Sequence, residues 1–486
     1  MQLIELIENP ERAGGTARGV TVNALTADSR LVKPGTLFAA LKGSTVDGTA
    51  FIPDAIAAGA SAILTYEGAR ADAPASVPII ESVDPRRDFA LMAARFYDAQ
   101  PETIAAVTGT AGKTSVADFT RQIWAHAGLN AASLGTLGVV TATGADYGAL
   151  TTPDPVALHE RLAGLAGAGI SHLAMEASSH GIDQRRLDGV RLKAAGFTNI
   201  GRDHLDYHGT FEAYFAAKLR LFDTLLPETG IAVLDADRAE SARVAETVRI
   251  RGIDVFSVGR TGRDLRLLTL SPDGFRQVLE LDIAGKRFKA ALPLAGTFQV
   301  SNALVAAGMT IVCGLEAVKA IAALETLKGA KGRLEFAGKT AKDGLVFIDY
   351  SHKPDALEAA LKALRPFVKN RLLVVFGAGG DRDPGKRPLM GAVAAKEADR
   401  VVVTDDNPRS EEPALIRKAI LEAAPDAIEI GDRAEAIAVA VAETGPGDVL
   451  LVAGKGHETG QIIGDEVKPF SDHEAVAAAI AQTGAH

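Results

Sequence analysis

The chain has 486 residues, too many for one small fold and enough for about three domains at roughly 100–200 residues each. Its 52 Lys and Arg against 61 Asp and Glu leave a formal net charge of −9; an extended nucleic-acid contact would work against that charge, while a local basic pocket for a small anion stays open. The single cysteine excludes an intrachain disulfide framework and a cysteine-rich zinc site.

The first residues carry Glu5, Glu8 and Glu11 in place of a basic start, and no apolar run reaches the ~18–20 residues of a membrane span, so a soluble cytoplasmic protein is expected; a monomer is the expected state, on no sequence signal of its own. Short apolar runs then alternate with amphipathic segments, the pattern of parallel sheets covered by helices, which predicts an α/β protein. The pattern breaks at YDAQPET, around Asp98–Glu102, and an apolar strand follows at Thr103–Val107. Behind it comes TGTAGKTS and a polar helix start. Gly109 and Gly112 let backbone N–H groups close around phosphate oxygens, Lys113 adds a point charge, and the Thr114 hydroxyl suits Mg²⁺. Val107 stands where the full Walker pattern has its first glycine, which favours the short form GTxGKT/S over general P-loop motors and kinases.

A nucleotide site needs metal ligands on neighbouring strand ends. Glu176 follows the apolar HLAM, and His204 lies beyond the strand-like Ala194–Ile200; each, read alone, is equally a surface residue. In FEAYFAAKLRLF, apolar residues at 211, 214, 215, 219 and 222 form a helical stripe, and Lys218 falls inside it. Two readings fit: a stem that packs while the ammonium reaches water, or a buried amine kept neutral and able to capture carbon dioxide as a carbamate that binds Mg²⁺. A second boundary is expected near Gly332–Lys339. After it, apolar strands end repeatedly in polar loops, FIDYSHKP, VVFGAGGDRDPGKRP, VVVTDDNPRS and LLVAGKGHE, the second and fourth of them glycine-bearing, at the edge where open α/β sheets bind ligands.

With TADSR (26–30), GTAGKTS (109–115), TTPDP (151–155), MEASSHGIDQRR (175–186), TNIGRDHLDYHG (198–209), GRLE (332–335), DYSHKPDAL (349–357), GGDRDPGKRP (379–388), DDNPR (405–409) and GKGHE (454–458) in this order, the chain resembles the Mur ligase family over nearly its whole length. Within the family it is similar to the members that add the third amino acid of the peptidoglycan stem peptide. The resemblance implies three domains: 1–100 holding the UDP end of the substrate, 101–333 binding ATP, and a Rossmann-like 334–486 binding the amino acid. It implies an ATP-dependent ligase of cell-wall precursor synthesis that joins meso-diaminopimelate to the D-glutamate of UDP-N-acetylmuramoyl-L-alanyl-D-glutamate through an acyl phosphate.

Carried over residue by residue, the resemblance implies ATP contacts at Gly109, Thr110, Ala111, Gly112, Lys113, Thr114 and Ser115, adenine at Asn302, ribose at Asp349, and phosphate or ribose at Arg333. It implies two Mg²⁺ ions held or oriented by Thr114, Glu176, His204 and carbamylated Lys218. The UDP-muramoyl dipeptide falls to Ser29, Thr151, Thr152, Ser178, Gln184 and Arg186; Leu150 and Ser44–Val46 depart from relatives at this substrate. Diaminopimelate falls to Arg382, Asp406, Asn407, Pro408, Arg409, Gly454 and Glu458, with Arg409 forking onto the distal carboxylate and Glu458 pairing the distal ammonium. The alternatives are a lysine-adding, D-alanyl-D-alanine-adding or folylpolyglutamate-type ligase, or an inactive ATP-binding scaffold.

Overall fold

The computed structural model describes residues 1–8, 17–43, 46–69, 74, 76–146, 148, 150–274 and 276–483; positions 44 and 45 of the departing loop fall outside them. Two compact units divide the chain, Met1–Arg266 with Leu304–Ala320, and Leu267–Ala303 with Ile321–His486.

The first unit holds two sheets. The smaller is parallel, in the order of the sequence: β1 (Ala24–Thr26), β2 (Thr36–Ala39), β3 (Ala60–Tyr66) and β4 (Ile79–Ser82). In the larger, the strands are β5 (Thr103–Thr108), β6 (Ala131–Gly135), β7 (Gly138–Thr141), β8 (Gly144–Asp146), β9 (His172–Glu176), β10 (Leu192–Phe197), β11 (Ile231–Asp235) and β12 (Asp254–Gly259). They lie side by side as β12-β11-β10-β5-β9-β6-β7-β8. β5 is buried along its whole length, as its unbroken apolar run requires of a central parallel strand. The expected strand at Ala194–Ile200 stops at Phe197; beyond it the Thr198 N–H still donates to the Thr108 carbonyl at 3.1 Å, but the Asn199 carbonyl turns to the loop after β5 and accepts from the Thr110 N–H at 2.9 Å.

β5 runs parallel to β10 on one side and β9 on the other, with Thr108 beside Phe197 and Val107 beside Glu176. The chain leaves β5 to one side and returns on the other, so the loops after β5, β9 and β10 meet at one sheet edge. The helix Lys113–His126 starts there, behind Gly112 at φ +86°, and buries Val116, Phe119, Ile123 and Trp124. The helix Phe211–Arg220 packs Tyr214, Phe215 and Lys218 inward, then widens into a π turn at Leu221–Leu225. Phe211, expected in the buried stripe, is 37% exposed; it is the first residue of the helix, before the stripe reaches the core.

In the second unit, β13 (Leu265–Asp273, begun in the first unit), β14 (Arg276–Ile283) and β15 (Lys286–Leu292) precede a six-stranded sheet. The sheet is built from β16 (Glu335–Lys339), β17 (Leu345–Asp349), β18 (Leu372–Phe376), β19 (Arg400–Val403), β20 (Ile428–Glu429) and β21 (Val449–Ala453), in the order β16-β17-β21-β18-β19-β20. All but β16 are parallel. The four polar loops therefore leave the same edge, since Asp349 lies beside Ala453, and Phe376 beside Val403. A hairpin of β22 (Gly460–Ile463) and β23 (Glu466–Pro469) follows.

Candidate active site

At the edge of the larger sheet in the first unit, the loop Gly109–Gly112 is held from outside. Gly109 has φ +155°, and a Cβ there would stand 2.0 Å from the Thr198 hydroxyl, so only glycine lets the loop lie this close to the end of β10. Asn199 clasps Ala111 from both ends of its amide, accepting from the Ala111 N–H at 3.0 Å and donating to the Ala111 carbonyl at 3.1 Å. Thr110 shares a hydrogen bond with the Tyr214 hydroxyl at 2.9 Å. The Lys113 ammonium folds back to the carbonyls of Gly109 and Thr110, at 2.8 and 3.0 Å. The result is a preformed cradle at a helix N-terminus, with a cation beside it.

Two further predicted residues converge on the cradle. Glu176, 1% exposed, accepts from the Thr114 hydroxyl at 3.1 Å, the Thr136 N–H at 2.7 Å and the Thr136 hydroxyl at 3.3 Å. All these donors are neutral, so a buried carboxylate touches the phosphate-loop hydroxyl and, among the described residues, pairs with no cation. Lys218, also 1% exposed, donates to the Gly109 carbonyl at 2.8 Å and lies 4.6 Å from the centre of the Tyr214 ring. Burial first, and then the neighbouring Lys113, hold its amine well below the ordinary lysine value. Between the two sequence readings of this lysine the structure selects the buried amine. His204 is half exposed, with backbone φ +52°, and stands 3.6 Å from Asp203 and 4.8 Å, ring to ring, from His180. A buried carboxylate, a hydroxyl bonded to it and a buried lysine whose charged form is disfavoured would fit Mg²⁺ if that nitrogen carried a carbamate, which would complete a set of hard oxygen donors.

The residues expected at the muramoyl dipeptide adjoin this group. Thr152 donates to the Glu176 carbonyl at 3.1 Å and accepts from the Ser178 N–H at 3.1 Å. Arg186 donates to the Thr152 carbonyl and to Gln184 Oε1, both at 2.7 Å. Thr151 shares a hydrogen bond with Thr136 at 3.0 Å. Ser29 stands apart from them, in the turn after β1 of the smaller sheet, where its carbonyl accepts from the Val32 N–H at 3.3 Å.

In the second unit, Asn302 donates to Gln299 at 3.0 Å, and Gln299 donates to the Arg333 carbonyl at 3.1 Å, which joins two of the expected nucleotide residues. The Arg333 guanidinium stacks on Tyr350 at 4.6 Å. Asp349 accepts from the N–H groups of Leu334 and Ser351, at 2.6 and 2.8 Å, and from the Ser351 hydroxyl. Its carboxyl is pushed up, chiefly by burial, against these hydrogen bonds and Arg333.

The expected amino-acid residues also gather in this unit. Arg409, at φ +51°, donates to the Gly380 carbonyl at 2.7 Å, and its backbone bridges to Ile463 of the following hairpin. Asn407 donates to Glu458 at 3.0 Å. Gly454 has φ +118°, and a Cβ there would stand 2.6 Å from Asp406. Arg382 is exposed. Sequence reasoning passed over Thr136, Asn199, Tyr214, Gln299, Tyr350 and the fully buried Lys455. Asn199 and Lys455 stood inside quoted motifs, where the strand-end position was their available signal; Thr136 and Tyr214 carried none beyond ordinary turn and core residues.

Family models match in chain order: the Mur ligase family catalytic domain at residues 21–97, the Mur ligase middle domain at 107–310, and the Mur ligase glutamate ligase domain at 332–456. The chain belongs to the Mur ligase family and has its three-domain α/β architecture. It is 56% identical over 486 residues, 99% of each chain, to the UDP-N-acetylmuramoyl-L-alanyl-D-glutamate–2,6-diaminopimelate ligase of Bradyrhizobium diazoefficiens. A solved structure of a ligase of that same name shares 31% identity at a TM-score of 0.76, covering 99% of both chains. The MurF ligase of Thermotoga maritima in complex with ADP shares the fold, at 19% identity and a TM-score of 0.61 over 96% of this chain and 99% of that one.

Proposed function

We propose that this chain is an ATP-dependent ligase that forms an amide between the D-glutamate side-chain carboxylate of UDP-N-acetylmuramoyl-L-alanyl-D-glutamate and an amine of meso-diaminopimelate. The observation that carries the reading is the cradle Gly109–Ser115 with Glu176 on its Thr114 hydroxyl and the buried amine of Lys218 on its first carbonyl. The 56% identical relative of that name supports the choice of substrates.

Phosphoryl transfer between two anions is slow unless charge is neutralised and the reactants are aligned. Backbone N–H groups at the start of the helix Lys113–His126 would receive the ATP phosphates, with Lys113 turning from the loop carbonyls to the transferring group. Mg²⁺, when bound, neutralises charge on the phosphate oxygens, and Thr114, Glu176, His204 and carbamylated Lys218 would hold or orient it. The carbamate forms when the neutral Lys218 nitrogen bonds to the carbon of carbon dioxide and releases one proton to solvent. Thr152, Ser178, Gln184 and Arg186, linked to one another beside Glu176, would set the dipeptide carboxylate for attack on the γ-phosphorus, which releases ADP. The diaminopimelate amine then attacks the acyl carbon, and phosphate leaves with the oxygen that came from the carboxylate.

In the second unit, Arg409 would present its fork to the distal carboxylate and Glu458 would take the distal ammonium, while Asn302, Arg333 and Asp349 would serve the nucleoside. Domain limits near residues 100 and 333, a monomeric state and a cytoplasmic location belong to the same reading. Among the described residues no helix is long and apolar enough to cross a membrane.

The test incubates the protein with MgATP, the UDP-dipeptide carrying labelled carboxylate oxygen, and either diaminopimelate or lysine. The expected result is phosphate release that depends on the dipeptide and diaminopimelate, label in the phosphate, and a product heavier by one diaminopimelate residue. Label-free phosphate, or equal use of lysine, overturns the reading.

A further inference from the structure

Lys455 follows β21 in the second unit and is 0% exposed. Its ammonium donates to Asn407 Oδ1 at 2.9 Å and to Glu458 Oε2 at 3.2 Å. Asn407 Oδ1 also accepts from the Ile462 N–H at 2.9 Å. Two donors on one amide oxygen fix the orientation of that amide, since its NH₂ end cannot accept from either. The NH₂ must then face the other way, and it donates to Glu458 Oε2 at 3.0 Å. One carboxylate oxygen of Glu458 is thereby held by Lys455 and Asn407 together. The Glu458 side chain keeps 30% of its surface exposed, while that of Lys455 keeps none, so the glutamate is the member of the ion pair that reaches solvent.

A buried lysine is costly to desolvate, and a long side chain placed only for packing would carry an apolar end. Here the charge sits beneath the two residues expected to read the far end of the amino acid. We propose that Lys455 is the positioning residue of the amino-acid pocket: it holds the Asn407 amide and the Glu458 carboxylate in the one arrangement that accepts a substrate bearing both an ammonium and a carboxylate at its distal end. This rests on the function proposed above. It adds that recognition depends on a lysine that does not itself touch the substrate. The buried positive charge also opposes a distal ammonium that brings no carboxylate with it, so Lys455 contributes to the rejection of lysine.

The experiment compares the wild-type enzyme with Lys455→Met in steady-state ligation. The expected result is a KM for diaminopimelate raised roughly tenfold or more, a kcat within about threefold, and KM values for ATP and the UDP-dipeptide within about twofold. The preference for diaminopimelate over lysine should fall by a similar factor. Lys455→Gln, which keeps a shorter N–H donor, should lie between the two, and circular dichroism checks that each variant is folded. In Lys455→Met/Glu458→Gln, the KM penalty should approach that of the larger single substitution, because both act on one ion pair. An unchanged KM in a folded variant, or penalties that multiply as independent factors, overturns the role of Lys455. Failure of the wild-type enzyme itself to use diaminopimelate overturns the earlier reading instead.

Discussion

Gly135 ends β6 against the Glu176 carboxylate, and a single methyl group there tests whether the acid must stay where it lies. An alanine Cβ would stand 2.1 Å from Glu176 Oε1, 2.5 Å from Cγ and 2.6 Å from Cδ. The backbone at Gly135 is not left-handed, so crowding and not strain decides the outcome. Because Cγ clashes as well as the oxygen, turning the carboxylate tip cannot relieve the overlap; the side chain must retreat by about 1 Å to regain ordinary van der Waals separation. A retreat of that size takes the 2.7 Å bond from the Thr136 N–H and the 3.1 Å bond from the Thr114 hydroxyl beyond hydrogen-bond range. Each bond to a charged acceptor contributes about 1.5–3 kcal/mol, so these two and the 3.3 Å bond from the Thr136 hydroxyl, lost without replacement, set an upper limit of about 4.5–9 kcal/mol, and backbone relaxation recovers part of it. Gly135→Ala should therefore lose about 2–4 kcal/mol of stability in urea unfolding, and kcat in the phosphate-release assay should fall at least ~100-fold. Gly164→Ala is the control: that glycine is exposed on the helix Pro155–Gly167 with nothing within 4 Å of an added Cβ, and the change should add about 0.5–1 kcal/mol. Wild-type kcat and stability in Gly135→Ala would refute both the buried position of Glu176 and its part in the reaction.

Lys218→Ala should lower turnover by more than ~100-fold, and a short carboxylic acid added in excess should restore part of it by standing in for the carbamate; normal turnover in the alanine variant excludes the carbamate. Arg409→Ala should cost about 2–5 kcal/mol in kcat/KM for diaminopimelate, read by product mass, with little change in any residual use of lysine. His159, buried against the Asp188 carbonyl at 3.0 Å, titrates at about 4 in the fold because burial disfavours its charged form. Its folded value lies below the unfolded one, so the unfolded chain binds the extra proton between about pH 6.5 and pH 4 and stability is lost as pH falls through that window. The loss from this residue is about 3 kcal/mol. Urea unfolding at several pH values, with His159→Gln expected to flatten that part of the slope, checks it.

Much of this protein could be read along the chain. The α/β class, the strand read at Thr103–Val107, which extends to Thr108 in the fold, and the phosphate loop follow from period, glycine placement and the order of residue types, all of which act locally. The place of Lys218 in the apolar stripe was legible too, because helical spacing puts it beside Tyr214 and Phe215, whereas the burial of its amine was decided only by the fold. Other features depend on residues distant in sequence. Strand order places β5 between β9 and β10, and only that order brings Thr114 to Glu176, across 62 positions, and Asn199 to Ala111, across 88. Nor does composition tell whether the lysine of GKGHE meets solvent or Asn407, across 48 positions. Local periodicity determines which face of an element is apolar. Only parallel pairing in a permuted order determines which loop ends become neighbours, and the pairing of buried polar groups at that shared edge is where the chemistry of this chain was decided.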